Sequence, residues 1–458
     1  MPTIPTSFSI SKLRADLHGR VIEPADPDYD EARTVMMGGI DRRPAVIVRV
    51  ADTSDVVRVV SLARETGVPL AVRSGGHSAA AHGVIDDGIV LDLRDMTRLE
   101  VDVERRTAWA ETGLTAAALT TALHAHGLAV GFGDTGSVGI GGITLGGGVG
   151  YLVRAYGLTI DSLLAAEVVT ADGQVRRADA DTDPDLFWAI RGGGGNFGVA
   201  TRFQFRLQPV DQVVGGLLIL PATPDTVAGF IALADAAPDA LSTIANVMPC
   251  PPMPFVPEVH HGKVVIFAIM CHVGPIEAGE AAMAPFRALA VPVGDLVKPM
   301  PYPDIYPPDD PDYHPSAISR TMFIDHVDRV VASTIIEWLE ASDASVRVAQ
   351  LRVLGGASAQ VPVEATAYAH RGSRIMVNVA AFYDGPDDRT VRERWVTDFA
   401  AALHQDDDAA YVNFVGDEGE ARVHDAYPGA TWDRLAAIKA RYDPANLFRS
   451  NQNIPPST

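Results

Sequence analysis

The chain has 458 residues, 47% hydrophobic and 21% charged, with 37 Lys and Arg against 58 Asp and Glu, a formal net charge of −21. That length suits two or three domains with a sizeable core, and the composition is that of a globular protein. So acidic a balance argues against non-specific nucleic-acid binding, which needs a basic face, and against docking to anionic lipid.

No stretch approaches the ~18 uninterrupted apolar residues of a membrane span. The opening Met-Pro-Thr-Ile-Pro-Thr-Ser-Phe lacks a basic region followed by an apolar run, so no signal peptide is expected and the cytoplasm is the default compartment. The two cysteines, Cys250 and Cys271, are expected to be reduced, buried thiols.

In chain order, residues 8–20 read as a short helix stopped at Gly19. Residues 45–50 form a buried-strand pattern, and Ser54-Asp55 caps a helix over 56–65 that stops at Gly67. Strands follow over 69–73 and 89–93, then a helix over 114–126 with Gly127 as its stop. Residues 165–170 and 175–177 form a hairpin across Asp172-Gly173, a strong turn signal. A short helix over 184–190 and a strand over 199–207 close this region near residue 210.

Beyond Val213 glycine thins, and prolines crowd 249–257 and 299–315. Those proline-rich stretches read as ordered loops over a cleft or as plain surface coils. Strands over 263–271, 346–353 and 374–382 alternate with helices over 278–289, 329–339 and 390–403. This is an antiparallel sheet with helices on it, an α+β arrangement. A last helix spans 432–448, and the Asn-rich end after it carries apolar anchors.

Residues 131–150 stand out, with ten glycines in twenty positions. Glycine gives up the most backbone entropy on folding; its uses are positive φ and close approach of backbone to a ligand. A flexible linker would carry serine and charge, whereas here Val138, Ile140, Ile143, Leu145 and Val149 interleave with the glycines. Arg73-Ser-Gly-Gly-His77 and Arg191-Gly-Gly-Gly-Gly-Asn-Phe-Gly198 match it in style. Three such turns suggest one extended ligand gripped through backbone N–H groups. Gly131/Gly133/Gly136 and Gly193/Gly195/Gly198 fit G-x-G-x-x-G, but neither is followed by a helix pattern, so neither is a dinucleotide fingerprint. There is no His-Glu-x-x-His and no Gly-Lys-Ser/Thr loop, which leaves zinc hydrolase and nucleotide kinase unsupported, and no metal site is expected.

Taken together, Arg73-Ser-Gly-Gly-His77, the 138–151 run, Tyr156-Gly-Leu-Thr-Ile-Asp161, the 185–198 run, Tyr411-Val-Asn413 and Tyr442-Asp-Pro-Ala-Asn-Leu-Phe448 resemble the berberine bridge enzyme-like FAD-linked oxidases of the vanillyl-alcohol oxidase/PCMH flavoprotein superfamily. The resemblance covers almost the whole chain. It implies an α+β fold, with a PCMH-type FAD-binding domain of two α/β subdomains over 1–210. A substrate domain, an antiparallel sheet covered by helices, would span 211–409. A C-terminal segment, 410–458, would return to the FAD domain.

The resemblance further implies that His77 bonds covalently to the flavin 8α-methyl. A neutral imidazole nitrogen is a competent nucleophile for this near neutral pH. Thr135 stands where many relatives carry a cysteine bonded to the flavin, so no cysteinyl link is expected. Arg73, Ser74, Gly75, Gly76 and Ser78 match the loop around the pyrophosphate. Gly136, Gly139, Gly141, Gly142, Gly146, Val199, Asn413, Asn451 and Asn453 are further expected cofactor contacts. Ile140 occupies the position that gates oxygen, where a valine or smaller side chain goes with oxidases and a bulkier one with dehydrogenases.

Tyr411 matches the tyrosine that acts as base in carbohydrate oxidases of the group. With an ordinary pKa of ~10 it needs a nearby cation to work at neutral pH, which Arg352 or Arg371 could supply. Those oxidases are expected to carry a carboxylate on the strand before Gly355-Gly356; here the nearby residues are Gln350 and Arg352. His370 and Tyr368 are further cleft candidates. The expected activity is hydride transfer from an alcohol, sugar or amine carbon to flavin N5, with electrons passing to O2 to give H2O2. The alternatives are a dehydrogenase with another acceptor and an inactive flavin-binding protein. The expected partners are a small-molecule substrate and O2; substrate identity and oligomeric state are left open.

Overall fold

The computed structural model describes residues 9–457. The opening residues read for a signal peptide, and the first residue of the helix expected over 8–20, lie outside them. Three larger sheets, beside a two-stranded one, organise the rest. The first is four-stranded, in the order Arg20–Ile22, Val46–Arg49, Ile89–Asp92, Leu70–Arg73. Its last three strands are parallel. Val46, Val48, Ile89 and Leu91 pack against Val56, Val59 and Val60 of the helix Thr53–Thr66. A buried parallel sheet needs such continuous apolar runs.

That helix is capped earlier than expected, within one turn. The Asp52 carboxylate, not Ser54-Asp55, accepts the Ser54 and Asp55 N–H groups. Asp55 is buried and serves another end, accepting N–H bonds from His18, Gly19 and Ala51. Gly67 ends the helix at φ 69, as its lack of a Cβ permits.

The second sheet is five-stranded and antiparallel, with Val199–Arg206 at its centre between Thr107–Glu111 and Leu163–Val169. The Asp172-Gly173 turn joins Leu163–Val169 to Val175–Asp179 as expected. The third sheet is the largest, with eight antiparallel strands. From its interior to one edge it runs Val264–Val273, Leu241–Pro249, Arg347–Val353, Ile375–Phe382, Ala317–Ile324.

Side chains alternate across that sheet, because successive strand residues point to opposite faces. Ala245, Val247, Ala349, Leu351, Val377 and Val379 face the helices Pro224–Ala236, Arg329–Ala341 and Gly385–Leu403 in one core. The opposite face carries Asn246, Gln350 and Asn378 at one register level, with Arg352 two residues along. The sheet therefore turns a polar row toward the rest of the molecule, flanked on the same face by apolar Ile244, Phe323 and Met376.

Two further differences have local causes. The glycine-rich stretch contains a short helix, Ile140–Gly146. The last helix is Ala430–Tyr442 and stops well before Phe448. Asp443 precedes Pro444, whose ring disfavours helical backbone at the preceding residue. Cys250 and Cys271 are both free and buried, and burial pushes the Cys271 thiol up to about 12. Among the described residues no helix is long and apolar enough to cross a membrane.

Candidate active site

A cavity of about 420 Å³ lies where the first two sheets, the large sheet and the C-terminal segment meet. Its wall takes in Arg73 to Ser78, Thr135, Gly139, Gly141, Gly142, Val199, Tyr411, Asn413 and Asn451, all expected from sequence. Gly136, Ile140, Gly146 and Asn453 are not on it, nor are Arg352 and His370.

Much of the wall is bare backbone. The 73–78 and 139–142 loops touch main chain to main chain: a Cβ on Gly75 would lie 2.2 Å from the Gly139 nitrogen, and one on Gly139 would lie 2.1 Å from the Gly75 nitrogen. Ser74 ties the loops together, donating from Oγ to the Thr112 carbonyl at 2.5 Å and accepting the Gly141 N–H at 3.2 Å. A Cβ on Gly142 would meet nothing within 4 Å, so its backbone lies open. Gly146 serves a different purpose. A Cβ there would sit 2.0 Å from Asn413 Oδ1, so this glycine makes room for Asn413.

The Arg73 guanidinium does not face the cavity. It donates to Asp92 at 2.8 Å and to the Ala32 carbonyl at 2.5 Å, deep in the first sheet. Asp92 is fully buried, with Arg94 at 2.9 Å and Arg49 at 3.6 Å as further partners. Arg73 thus lends the cavity its stem and its backbone rather than a charge. His77 lines the cavity, and burial lowers its pKa. Its imidazole is neutral at neutral pH.

Tyr411 is 2% exposed. Its hydroxyl oxygen accepts N–H bonds from Gly148 at 2.8 Å, Val149 at 3.3 Å and Asn413 Nδ2 at 2.9 Å. Burial raises its pKa above 10.0, outweighing those donors and Arg352. Arg352 thus pulls it down, but by less than burial pushes it up. Arg352 is buried and spent elsewhere, donating to Asp134 at 2.5 Å and to Gln350 Oε1 at 2.7 and 3.0 Å. It also stacks over Phe414, 5.1 Å from the ring centroid. Arg371 is engaged by both oxygens of Asp161, each at 2.7 Å.

His370 lies against a separate surface cavity with His424, Asp407 and Asp408. Its Nε2 bonds the Ala426 carbonyl at 3.0 Å, and Phe323 and Tyr368 pack beside its ring. His370, expected as a cleft residue, thus lies off the wall of the larger cavity, with its ring packed and its Nε2 bonded to a backbone carbonyl. Tyr368 is buried beside Tyr411, with ring centroids 6.1 Å apart.

The cavity also holds residues that sequence reasoning missed. His82 lines it with a buried Nε2 that has no hydrogen-bond partner, and burial, helped by Arg42, lowers its pKa to about 4. Ser319 and Asn378 reach it from the large sheet, and Asn378 Oδ1 is buried without a partner. Gln452 completes the C-terminal side. A lone Asn within the apolar run Ile375–Phe382 was a readable signal; His82 carries none, since nothing in its neighbours marks it.

Comparison with known proteins bears on this geometry. A family model described as FAD binding domain matches residues 44–179, and one described as Berberine and berberine like matches residues 410–455. The uncharacterized FAD-linked oxidoreductase YvdP of Bacillus subtilis (strain 168) is 32% identical over 96% of this chain and 99% of that protein. The (R)-6-hydroxynicotine oxidase of Paenarthrobacter nicotinovorans is 29% identical over 97% of this chain and 99% of that protein. The crystal structure of 6-hydroxy-D-nicotine oxidase from Arthrobacter nicotinovorans superposes with a TM-score of 0.86 at 27% identity, covering 96% of this chain and 98% of that one. With matching sequence at both ends of the chain and a matching fold between them, the protein belongs to the berberine bridge enzyme-like family of FAD-linked oxidoreductases.

Proposed function

We propose that this cavity is the FAD site and that the enzyme is an oxidase, taking a hydride from an alcohol, sugar or amine carbon and passing the electrons to O2 as H2O2. The wall fits FAD. Open backbone at Gly142 suits a closely approaching pyrophosphate. Unpartnered polar atoms on His82, Asn378 and Asn451 suit a large polar ligand. Bound FAD supplies the hydride acceptor and, once reduced, the electrons for O2.

The observation that carries the reading is the placement of Tyr411 and His77 on one wall with that backbone. Tyr411 is the proton acceptor. Its oxygen already receives three N–H groups, which stabilise the negative charge of the deprotonated form that takes up the substrate proton. Burial opposes this, so Tyr411 works best at alkaline pH. Arg352 holds the surroundings by pairing with Asp134, leaving the wall without a free carboxylate there. His77, neutral and half-buried, is the nucleophile for a single covalent tether, because Thr135 offers no thiol.

Two experiments test this. Acid precipitation should leave the yellow colour in the pellet, mapping to the His77 peptide. Anaerobic mixing with alcohols, sugars and amines should bleach the flavin, and admitting air should restore it with release of peroxide. Slow return of colour in air that Ile140→Val accelerates would assign a dehydrogenase instead. Bleaching by no substrate at all would leave a flavin-binding protein without turnover.

A further inference from the structure

We propose that Lys439 is a positioning residue for the cofactor, acting through the C-terminal segment 448–454 rather than by contact. The proposal rests on the cavity being the FAD site.

Lys439 lies on the helix Ala430–Tyr442, and its side chain is fully buried. It is not on the cavity wall. A buried ammonium is strongly unfavourable unless its donors are satisfied. Here each of its three N–H groups has an acceptor. These are Asp443 Oδ2 at 2.6 Å, the Asn196 carbonyl at 2.8 Å and the Phe448 carbonyl at 2.9 Å. Asp443 is equally committed, taking the Leu447 N–H at 2.7 Å and the Phe448 N–H at 2.8 Å. The pair is thus the node of a closed turn.

Two of its three acceptors, Asn196 and Phe448, do line the cavity. They are far apart in sequence, one on the glycine-rich turn and one on the C-terminal segment. The ammonium therefore sets the spacing between two parts of the wall.

From this node the segment is fastened outward. Asn196 donates to the Gln452 carbonyl at 3.1 Å and accepts the Ile454 N–H at 2.9 Å. Asn451 donates to the Gly195 carbonyl at 3.2 Å. Ser450 donates to the His82 carbonyl at 3.1 Å, and Gln452 to the Val415 carbonyl at 2.7 Å. Ser450, Asn451 and Gln452 are all cavity residues. A plain structural pair would tolerate replacement by neutral groups without consequence in the cavity. A positioning pair would not.

The test compares the FAD-loaded enzyme with Lys439→Met and with Lys439→Met/Asp443→Asn. The double variant removes the stranded carboxylate yet keeps a side-chain oxygen for one of the Leu447 and Phe448 amides. Three readouts are taken: thermal midpoint, hydrogen exchange of peptides covering 193–196 and 448–454, and visible circular dichroism of the bound flavin. The double variant should regain most of the thermal midpoint lost by Lys439→Met. Its 448–454 amides should still exchange about tenfold faster or more, as expected for losing charge-assisted hydrogen bonds. Its flavin dichroism should stay altered.

Recovery of all three readouts together would make Lys439 merely structural and overturn the proposal. So would faster exchange with unchanged flavin dichroism. Failure of the site reading shows in the unmodified protein alone: 448–454 exchange that is the same with and without FAD would overturn that reading, and the proposal with it.

Discussion

Tyr411→Phe separates the structural from the chemical role of one hydroxyl. The change removes the acceptor of the Gly148 N–H at 2.8 Å, the Val149 N–H at 3.3 Å and Asn413 Nδ2 at 2.9 Å. Asn413 keeps its bond to the Ile143 carbonyl at 3.1 Å, and the Val149 bond is already long. Gly148 is the donor left stranded in a buried place, a loss of about 1–3 kcal/mol in unfolding free energy. A positioned base contributes about 10²–10⁴-fold, so flavin reduction should slow by that factor while FAD content is unchanged. In the unmodified enzyme, burial holds the Tyr411 pKa above 10.0. The reactive form is the deprotonated one. The rate of anaerobic reduction should therefore climb from neutral to alkaline pH without a plateau below ~10. Stopped-flow reduction across pH, with urea denaturation alongside, measures both effects. A variant that is destabilised yet reduces its flavin at the full rate would refute Tyr411 as the base.

His77→Ala should release its flavin on acid precipitation, giving a white pellet and a yellow supernatant; a pellet that stays yellow places the tether elsewhere. His82 has a pKa of about 4 in the folded chain against 6.5 when unfolded. The unfolded state thus binds more protons between those values, so stability is fully present above 6.5 and falls as pH drops toward 4, by about 3 kcal/mol. Thermal midpoints across that window should fall less steeply for His82→Leu, and an identical slope would refute the assignment. Arg371→Met strands the Asp161 carboxylate, which is 9% exposed, and should cost about 3–5 kcal/mol in urea denaturation. Adding Asp161→Leu should restore much of that loss, and no recovery would show that the stranded charge is not its source.

Features set by neighbouring residues were legible in the sequence. The apolar runs at 46–49 and 89–92, the Asp172-Gly173 hairpin and the glycine clusters each announce a backbone preference within a few residues. Errors arose where two local signals competed. Pro444 ended the last helix short of the expected 448, and Asp52 took the cap that Ser54-Asp55 offered. Neither error moved an element to another sheet.

What a charged or aromatic side chain does was much less legible, because its partner lies far along the chain. Arg352 reads as a free cation until the fold brings Asp134 within 2.5 Å, and Arg371 until it meets Asp161. Arg73 sits in a stretch that reads as a phosphate loop, yet its guanidinium is committed to Asp92. His370 and Ile140 sit in promising stretches but off the wall, whereas His82 and Asn378 sit on it without a motif. By itself, the sequence determined the family, the cofactor class and the glycine backbone that would receive it, since backbone conformation and close approach are properties of short segments. Only the tertiary structure decided which side chains keep an uncommitted polar atom in the cavity, since that depends on which opposite charges and carbonyls the packed chain delivers to each one.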